Sequence, residues 1–85
     1  MRHFKDPNFQ PLYHALPPQV RKLADKNFAL LKRDSKHPSL HFKRVRDELW
    51  SVRVGLNYRA LAIEGGDGFQ WFWIGTHADY DAMIR

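Results

Sequence analysis

The stretch "LWSVRVGLNYRALAIEGGDGFQWFWIGT", residues 49–76, decides the fold class. It contains three short segments rich in Val, Ile, Trp, Phe and Tyr, and the connections "GLN" and "GGDG" between them have the length of hairpin turns. A fourth segment of this kind, "LHFKRV", precedes it across the connection "RDE". The pattern therefore predicts a four-stranded antiparallel meander, with its clearest turn at "GGDG".

Helical patterns flank this meander on both sides. Upstream, apolar residues recur at helical spacing, namely Val20, Leu23, Ala24, Phe28 and Leu31. They predict a helix from Pro18 to Arg33, and Pro11 fits the start of a short helical turn before it. "RHFK" is a further short strand segment, and "HADYDAMIR" predicts a short C-terminal helix. The expected fold class is α+β, with N-terminal helical segments on one face of a small antiparallel sheet and the other face open.

Length and composition favour one small folded domain over residues 1–85. The chain is 44% hydrophobic, and it has no cysteine, which excludes disulfides and thiolate zinc sites. No apolar run is long enough for a membrane span and "MRHFKDPNF" has no export signal, so we expect a cytoplasmic protein without membrane contact. Lys and Arg number 14 against 9 acids, giving a net charge of +5 that favours anionic partners.

Strand alternation places several cations on the open face of the predicted sheet. Arg53 and Arg59 lie on neighbouring strands, and His41 shares a side with Lys43 on the first strand of the meander. Because strands are about 4.8 Å apart, these side chains are expected to converge, with His77 in reach at the end of the fourth strand. Such a cluster suits a phosphodiester. The alternative is a solvated face that discourages edge pairing.

The last strand of the meander is the most apolar. Alternation places Trp71 and Trp73 on one face and Phe72 and Ile74 on the other, and core packing is the preferred interpretation of these rings over base stacking. Gly75 is expected to keep the space beside the cluster free of a side chain that would obstruct a substrate.

A metal site is not expected. "HPSLH" spaces His37 and His41 four residues apart, but Pro38 disfavours the helix that would align them. No acid or cysteine completes a ligand set there. The sequence therefore predicts neither a metal nor another cofactor.

The segments "HPSLHFKRV", "LWSVRVGLNYRALAI" and "FQWFWIGTHADYD" together resemble the RelE/ParE superfamily of toxins from bacterial type II toxin–antitoxin modules. The resemblance covers residues 16–84, and its most specific parts are "SVRVG" followed by "YRAL", and a closing Gly-x-His with a downstream Tyr. It implies a small antiparallel sheet packed on an N-terminal helical pair. Active RelE-type members are metal-independent endoribonucleases that cut mRNA on the ribosome.

The resemblance also implies roles for single residues. Arg59 matches the phosphate-binding arginine of the family, and Arg53 lies near a basic position on the preceding strand. His77 matches a histidine that some branches use as general acid or base, and Tyr80 lies near a C-terminal aromatic position. Histidine suits proton transfer because its pKa lies near neutrality.

Each of these residues also has a purely structural interpretation. His77 would cap the entry of the last helix, and Tyr80 would be buried against Trp73. The two arginines would form surface ion pairs with nearby acids, namely Asp47, Glu48 or Glu64. The cations of "KRVRDE" would either solvate a hairpin or hold RNA. The predicted RNA-binding residues are His41, Lys43, Arg44 and Arg46.

The expected function is that of a toxin which cleaves mRNA on the ribosome and is neutralised by an antitoxin protein. Its expected partners are therefore the antitoxin, the ribosome and mRNA. A ParE-like toxin that inhibits gyrase by protein binding is the first alternative, because ParE-type relatives share the fold without nuclease chemistry. A degenerate relative that only binds nucleic acid is the second.

Overall fold

The predicted meander is present in the computed structural model, which describes residues 1–85. The sheet has five strands in the order β1-β5-β4-β3-β2, and β2 to β5 pair in antiparallel fashion. In chain order the elements are β1 (Arg2–Lys5), α1 (Phe9–His14), α2 (Pro18–Arg33), β2 (Lys43–Arg46), β3 (Leu49–Val54), β4 (Tyr58–Gly65), β5 (Gly68–Thr76) and α3 (His77–Ile84). The predicted fold class, and the predicted bounds of α2, are confirmed.

Strand β1 makes the sheet mixed. The segment "RHFK" forms a strand that pairs parallel with β5, with Arg2 opposite Gly68. Gly68 is required there because a Cβ atom would collide with the Arg2 carbonyl. The antiparallel expectation therefore holds for the meander, and β1 is an added parallel edge.

The first strand of the meander begins later than the sequence predicts. A single 3₁₀ turn occupies Pro38–Leu40, and His41 follows it in the left-handed region with φ 45°. Strand β2 starts only at Lys43. The prediction that His41 shares a strand face with Lys43 was therefore wrong, because the chain turns at His41 before it extends.

The core lies between α2 and one face of the sheet. The most buried core side chains come from α2, the 3₁₀ turn and three strands, namely Leu31, Leu40, Val54, Ala60, Ala62, Phe69, Trp71 and Ile74. Trp71 and Trp73 do not share a face, contrary to the prediction from alternation. A bulge places Ala62 opposite Trp71 and Leu61 opposite Trp73, so Phe72 is an extra residue that shifts the alternation.

The other face of the sheet is partly covered by α3, which corrects the expectation of an open face. Ser51 and Leu61 point to this side and are 2% and 1% exposed, and Tyr80 of α3 is 5% exposed. The helix begins where Thr76 Oγ1 accepts a hydrogen bond of 3.1 Å from the Asp79 backbone N–H. No helix combines the length and the apolar character needed to cross a membrane.

Candidate anion-binding site

Two arginines face each other across neighbouring strands. Arg53 of β3 is the direct antiparallel partner of Arg59 of β4. Like charges in directly opposite positions destabilise a sheet. Neither guanidinium lies within ion-pair distance of a carboxylate, since the two salt bridges of the chain are Arg2–Asp67 and His77–Asp81. The predicted alternative of ion pairs with neighbouring acids is not observed, and the pair is suited to an anion with two or more oxygens.

The surroundings of the arginine pair make its two positive charges less favourable. Burial lowers the pKa of Arg59, and the charge of Arg53 lowers it further, while Tyr80 and Asp81 act in the opposite direction. Arg59 Nη1 donates a 2.9 Å hydrogen bond to the Tyr58 carbonyl. Arg53 Nε is buried and has no hydrogen-bond partner. An anion at this position would supply the missing acceptor and offset the repulsion.

The floor beside the arginines is formed by β5. Gly75 is the direct partner of Arg59 on this strand. A Cβ atom at Gly75 would lie 2.5 Å from Cζ2 of Trp73, so the indole ring of Trp73 lies over the glycine. The expectation that Gly75 leaves this space free was therefore wrong, because the ring of the strand's own tryptophan occupies it.

His77 begins α3 directly after β5. Its backbone N–H donates a 2.7 Å hydrogen bond to the Asn57 carbonyl, which joins the start of α3 to the β3–β4 turn. Its Nε2 lies 3.2 Å from a carboxylate oxygen of Asp81, one helical turn later. Its Nδ1 is buried without a hydrogen-bond partner. In this arrangement Asp81 favours the imidazole form that carries a proton on Nε2.

Tyr80 packs α3 onto the sheet. Its ring stacks beside that of His77, with centroids 5.9 Å apart, so the two lie on the same side of the helix. Its hydroxyl donates a 3.3 Å hydrogen bond to Ser51 Oγ. The burial that the sequence left open is observed. Tyr80 therefore positions α3, and with it His77, above β3 and β4.

The four residues predicted to bind RNA do not form one surface. Lys43 is the direct partner of Ser51 and lies on the face of the arginine pair. Arg44 is on the opposite face, where its guanidinium lies 5.8 Å from the ring of Trp50. Arg46 Nη1 donates a 2.8 Å hydrogen bond to the carbonyl of residue 84 at the end of α3.

His41, the last of the four predicted RNA-binding residues, is exposed and lies outside strand β2. Of the four residues, Lys43 alone is brought to the strand face of Arg53 and Arg59 by direct pairing.

Sequence reasoning missed Asp81 and Ser51. The spacing of His77 and Asp81, four residues apart on a predicted helix, was a readable signal for a side-chain pair. Ser51 had no such signal, because its partner Tyr80 is distant in sequence. No group of three His, Asp or Glu side chains is arranged to hold a metal ion.

Comparisons with known proteins agree with this architecture. A model of ParE-like toxin domains matches residues 18–82. A chain of the RelB–RelE antitoxin–toxin complex from Methanococcus jannaschii superposes with a TM-score of 0.74 at 15% identity, covering 96% of this chain and 99% of that one.

Two further solved structures have the same fold. The YoeB/ParE toxin from Agrobacterium tumefaciens gives a TM-score of 0.69 at 12% identity, covering 91% of this chain and 99% of that one. A copper-bound mutant toxin from Helicobacter pylori gives 0.62 at 11% identity, with 93% and 97% covered. No curated protein sequence matches the chain.

Proposed function

This chain belongs to the family of ParE-like toxin domains, within the RelE/ParE superfamily of toxins, and we propose that it cleaves mRNA on the ribosome. The arginine pair carries the proposal. Arg53 and Arg59 are direct neighbours without a carboxylate partner, and Arg53 has a buried N–H group that lacks an acceptor. The phosphate of an RNA chain provides the two oxygens that such a pair binds.

Cleavage without a metal uses the 2′-hydroxyl of the substrate as nucleophile. The 2′-oxygen forms a bond to phosphorus while the bond from phosphorus to the 5′-oxygen breaks. A base accepts the proton of the 2′-hydroxyl, and an acid donates a proton to the departing 5′-oxygen. Arg59 and Arg53 bind the non-bridging oxygens, where negative charge increases in the transition state.

His77 is the residue that we assign to proton transfer. It lies at the end of the strand whose Gly75 pairs with Arg59, and Asp81 orients its ring. Transfer through Nε2 requires the imidazole to exchange the Asp81 carboxylate for the substrate oxygen. The tight packing of Tyr80 against Ser51 keeps α3 in place during that exchange.

An acidic antitoxin segment is the proposed partner. Arg2 is the only lysine or arginine within ion-pair distance of a carboxylate, so the other basic side chains are available to acids of a second protein. Strand β2 is an edge of the sheet and carries Lys43, Arg44 and Arg46. A segment that pairs with this edge would use its hydrogen-bonding groups and its charges together.

Gyrase inhibition by protein binding is the second candidate. Two observations favour it: the matching family model is that of ParE-like toxin domains, and both ring nitrogens of His77 are either paired or buried. A relative that binds nucleic acid without cleaving it is the third candidate, since it would need only the arginine pair.

Mapping of cut mRNA on programmed ribosomes tests the nuclease assignment. His77→Ala should lower cleavage by about 10²–10⁴-fold, the usual contribution of a general acid or base. Arg59→Ala should lower cleavage too, with more of the loss in substrate binding. His14→Ala is the matched control, because this histidine is exposed, lies in α1 outside the sheet and has no predicted role in RNA binding. Cleavage by His77→Ala at the rate of the parent would reduce the histidine to a structural role.

Growth experiments separate the nuclease from the gyrase inhibitor. Induced expression without the antitoxin should stop protein synthesis before DNA synthesis falls. Early loss of DNA synthesis with a DNA-damage response would support gyrase inhibition. Hydrogen exchange on the antitoxin complex should show protection along the basic surface or β2, and protection confined to the outer side of α2 would contradict the proposed interface.

A further inference from the structure

A second cleft lies on the α2 face of the sheet, so it is separate from the arginine pair. Trp50 lines the cleft, and the neighbouring strand positions Ser51 and Arg53 point to the opposite face. The cleft has a volume of about 580 Å³, within the range of about 300–1,000 Å³ that is usual for small-molecule sites. Its walls come from the end of α2, from β1 and from the β4–β5 hairpin.

The floor of this cleft is aromatic. The ring of Phe42 lies 4.8 Å from that of Trp50 and 5.1 Å from that of Phe69. His3 stacks on Phe69 at 5.3 Å, and its Nδ1 accepts a hydrogen bond of 3.1 Å from Trp71 Nε1. His3, Phe42 and Trp50 are only half-buried, so parts of these rings face the cleft.

His3 adds no charge to the floor of the cleft at neutral pH. Burial lowers the pKa of His3 below its ordinary value of 6.5, and the N-terminal amino group and Lys32 lower it further. The imidazole is therefore uncharged at neutral pH and behaves as one more flat ring beside Phe69.

The rim of the cleft is strongly asymmetric in charge. Lys32, Arg33 and Lys36, at the end of α2 and just after it, are exposed and form no ion pair. The only acid that lines the cleft is Glu64, whose Oε1 accepts a hydrogen bond of 2.9 Å from Trp50 Nε1. One end of the cleft therefore attracts anions, and the other end carries a carboxylate beside an aromatic ring.

We propose that this cleft binds a nucleotide, either free or as one unit of an RNA chain. The base would stack on the ring surfaces of Phe42 and Trp50, and the phosphate would lie between Lys32 and Lys36. At the Trp50 end, the charge of Glu64 is offset by that of Arg44, whose guanidinium lies 5.8 Å from the Trp50 ring, so the phosphate is attracted to the cations at the α2 end and the nucleotide binds in one orientation. The flat base of a nucleotide matches the aromatic floor of the cleft, and its anionic phosphate matches the cationic rim. The proposal does not depend on the nuclease assignment, since it concerns the opposite face of the sheet.

Titrations followed by NMR test the proposal, with GMP, AMP and UMP as the nucleotide probes and inorganic phosphate and guanosine as their two halves. The indole N–H signal of Trp50 should shift with each nucleotide. Lys32→Glu with Lys36→Glu should weaken GMP binding by at least about fivefold, as expected for lost exposed charge pairs. Lys22→Glu with Lys26→Glu is the matched control on α2, because it reverses two charges at exposed positions that do not line the cleft.

Phe42→Leu separates stacking from charge. It keeps an apolar side chain at a half-buried position, and it should weaken GMP binding by at least about fivefold while phosphate binding stays unchanged.

A short RNA oligonucleotide that competes with GMP would assign the cleft to RNA, and one that does not would assign it to free nucleotides. The proposal is overturned if the signal shifts map only to Arg53 and Arg59, or if neither variant weakens GMP. Tighter binding of a hexaglutamate peptide at the same signals would also overturn it, in favour of an acidic protein segment.

Discussion

The two faces of the sheet use their side chains in opposite ways. On the α2 face, rings and aliphatic groups fill the core, and Trp71 is 2% exposed with its indole N–H bonded to His3. On the α3 face, two arginines oppose each other, and a buried guanidinium N–H has no partner. The first face maximises burial, whereas the second keeps charges together that repel each other. The difference indicates that the α2 face contributes more of the stability of the fold, whereas the α3 face retains charges that the fold itself leaves unpaired.

Two hydrogen bonds hold strand β3 in place beside the arginine pair. Tyr80 and Ser51 are the buried polar pair beneath α3, and Asn27 of α2 donates a 3.1 Å hydrogen bond to the Arg53 carbonyl. These contacts hold the backbone of β3 from both sides. The arginines can therefore stay close without the sheet opening between them. Variants on each face should separate the two roles.

Removing the central ring of the α2 face should have the largest effect on stability. Trp71→Ala should lower the free energy of unfolding by about 3–5 kcal/mol, as is usual for a large aromatic deleted from a core. Trp73→Ala, two residues along the same strand but on the half-buried α3 face, should cost clearly less. Urea unfolding of both variants measures the difference. Equal losses would mean that the bulge at Phe72 does not divide the strand between the two faces.

Breaking the polar pair beneath α3 should have an intermediate effect. Tyr80→Phe removes the donor to Ser51 Oγ in a buried site and should cost about 1 kcal/mol of stability. Tyr58→Phe is the control, because the Tyr58 hydroxyl makes no hydrogen bond to the protein and the ring is half-buried. If α3 is held by this bond, Tyr80→Phe should also increase hydrogen exchange within α3. An exchange rate that stays at that of the parent would show that ring packing alone holds the helix.

Much of the fold follows from local patterns in the sequence. The bounds of helix α2 could be predicted because the spacing of its apolar residues and the prolines at its start indicate the same helix. The turn at "GGDG" could be predicted because a two-residue turn needs a positive φ, which Gly66 adopts. The bulge at Phe72 could not be predicted, since every residue around it is apolar and alternation has no polar marker there. Strand β1 is too short to show a period, and its partner β5 is far along the chain.

The candidate site was predictable only in part. The cross-strand meeting of Arg53 and Arg59 follows from alternation and hairpin length, and it is observed. The cover supplied by α3 was missed, because it depends on a distant contact between Tyr80 and Ser51. His41 was misplaced because a left-handed turn precedes β2, and nothing in "HPSLHF" marks that conformation on a histidine.

Acid should destabilise the α2 face through His3. The pKa of His3 is lowered in the fold, by burial first, so the unfolded chain binds its proton at a higher pH than the folded chain does. Stability contributed by neutral His3 is therefore complete above about 6.5 and is lost as the pH falls below that value. His3→Gln should make the free energy of unfolding fall less steeply between pH 7 and pH 5, because it removes a group that binds its proton more tightly in the unfolded chain than in the folded chain. His41→Gln is the exposed control, and an equal flattening in both variants would contradict the assignment.

Relieving the repulsion on the α3 face should have the smallest effect on stability, and it should be a gain. Arg53→Met keeps an alkyl chain of similar length but removes the charge opposite Arg59 and the buried N–H without a partner. The free energy of unfolding should rise by about 0.5 kcal/mol, in the range measured for cross-strand pairs. Lys22→Met removes the same charge from an exposed site on α2, so it corrects for the net charge of +5. Arg53→Met should also weaken binding of inorganic phosphate at this face, measured by NMR shifts of the Arg59 guanidinium. A variant that is less stable than Lys22→Met would show that Arg53 supports the fold, and the division of roles between the two faces would then fail at its central residue.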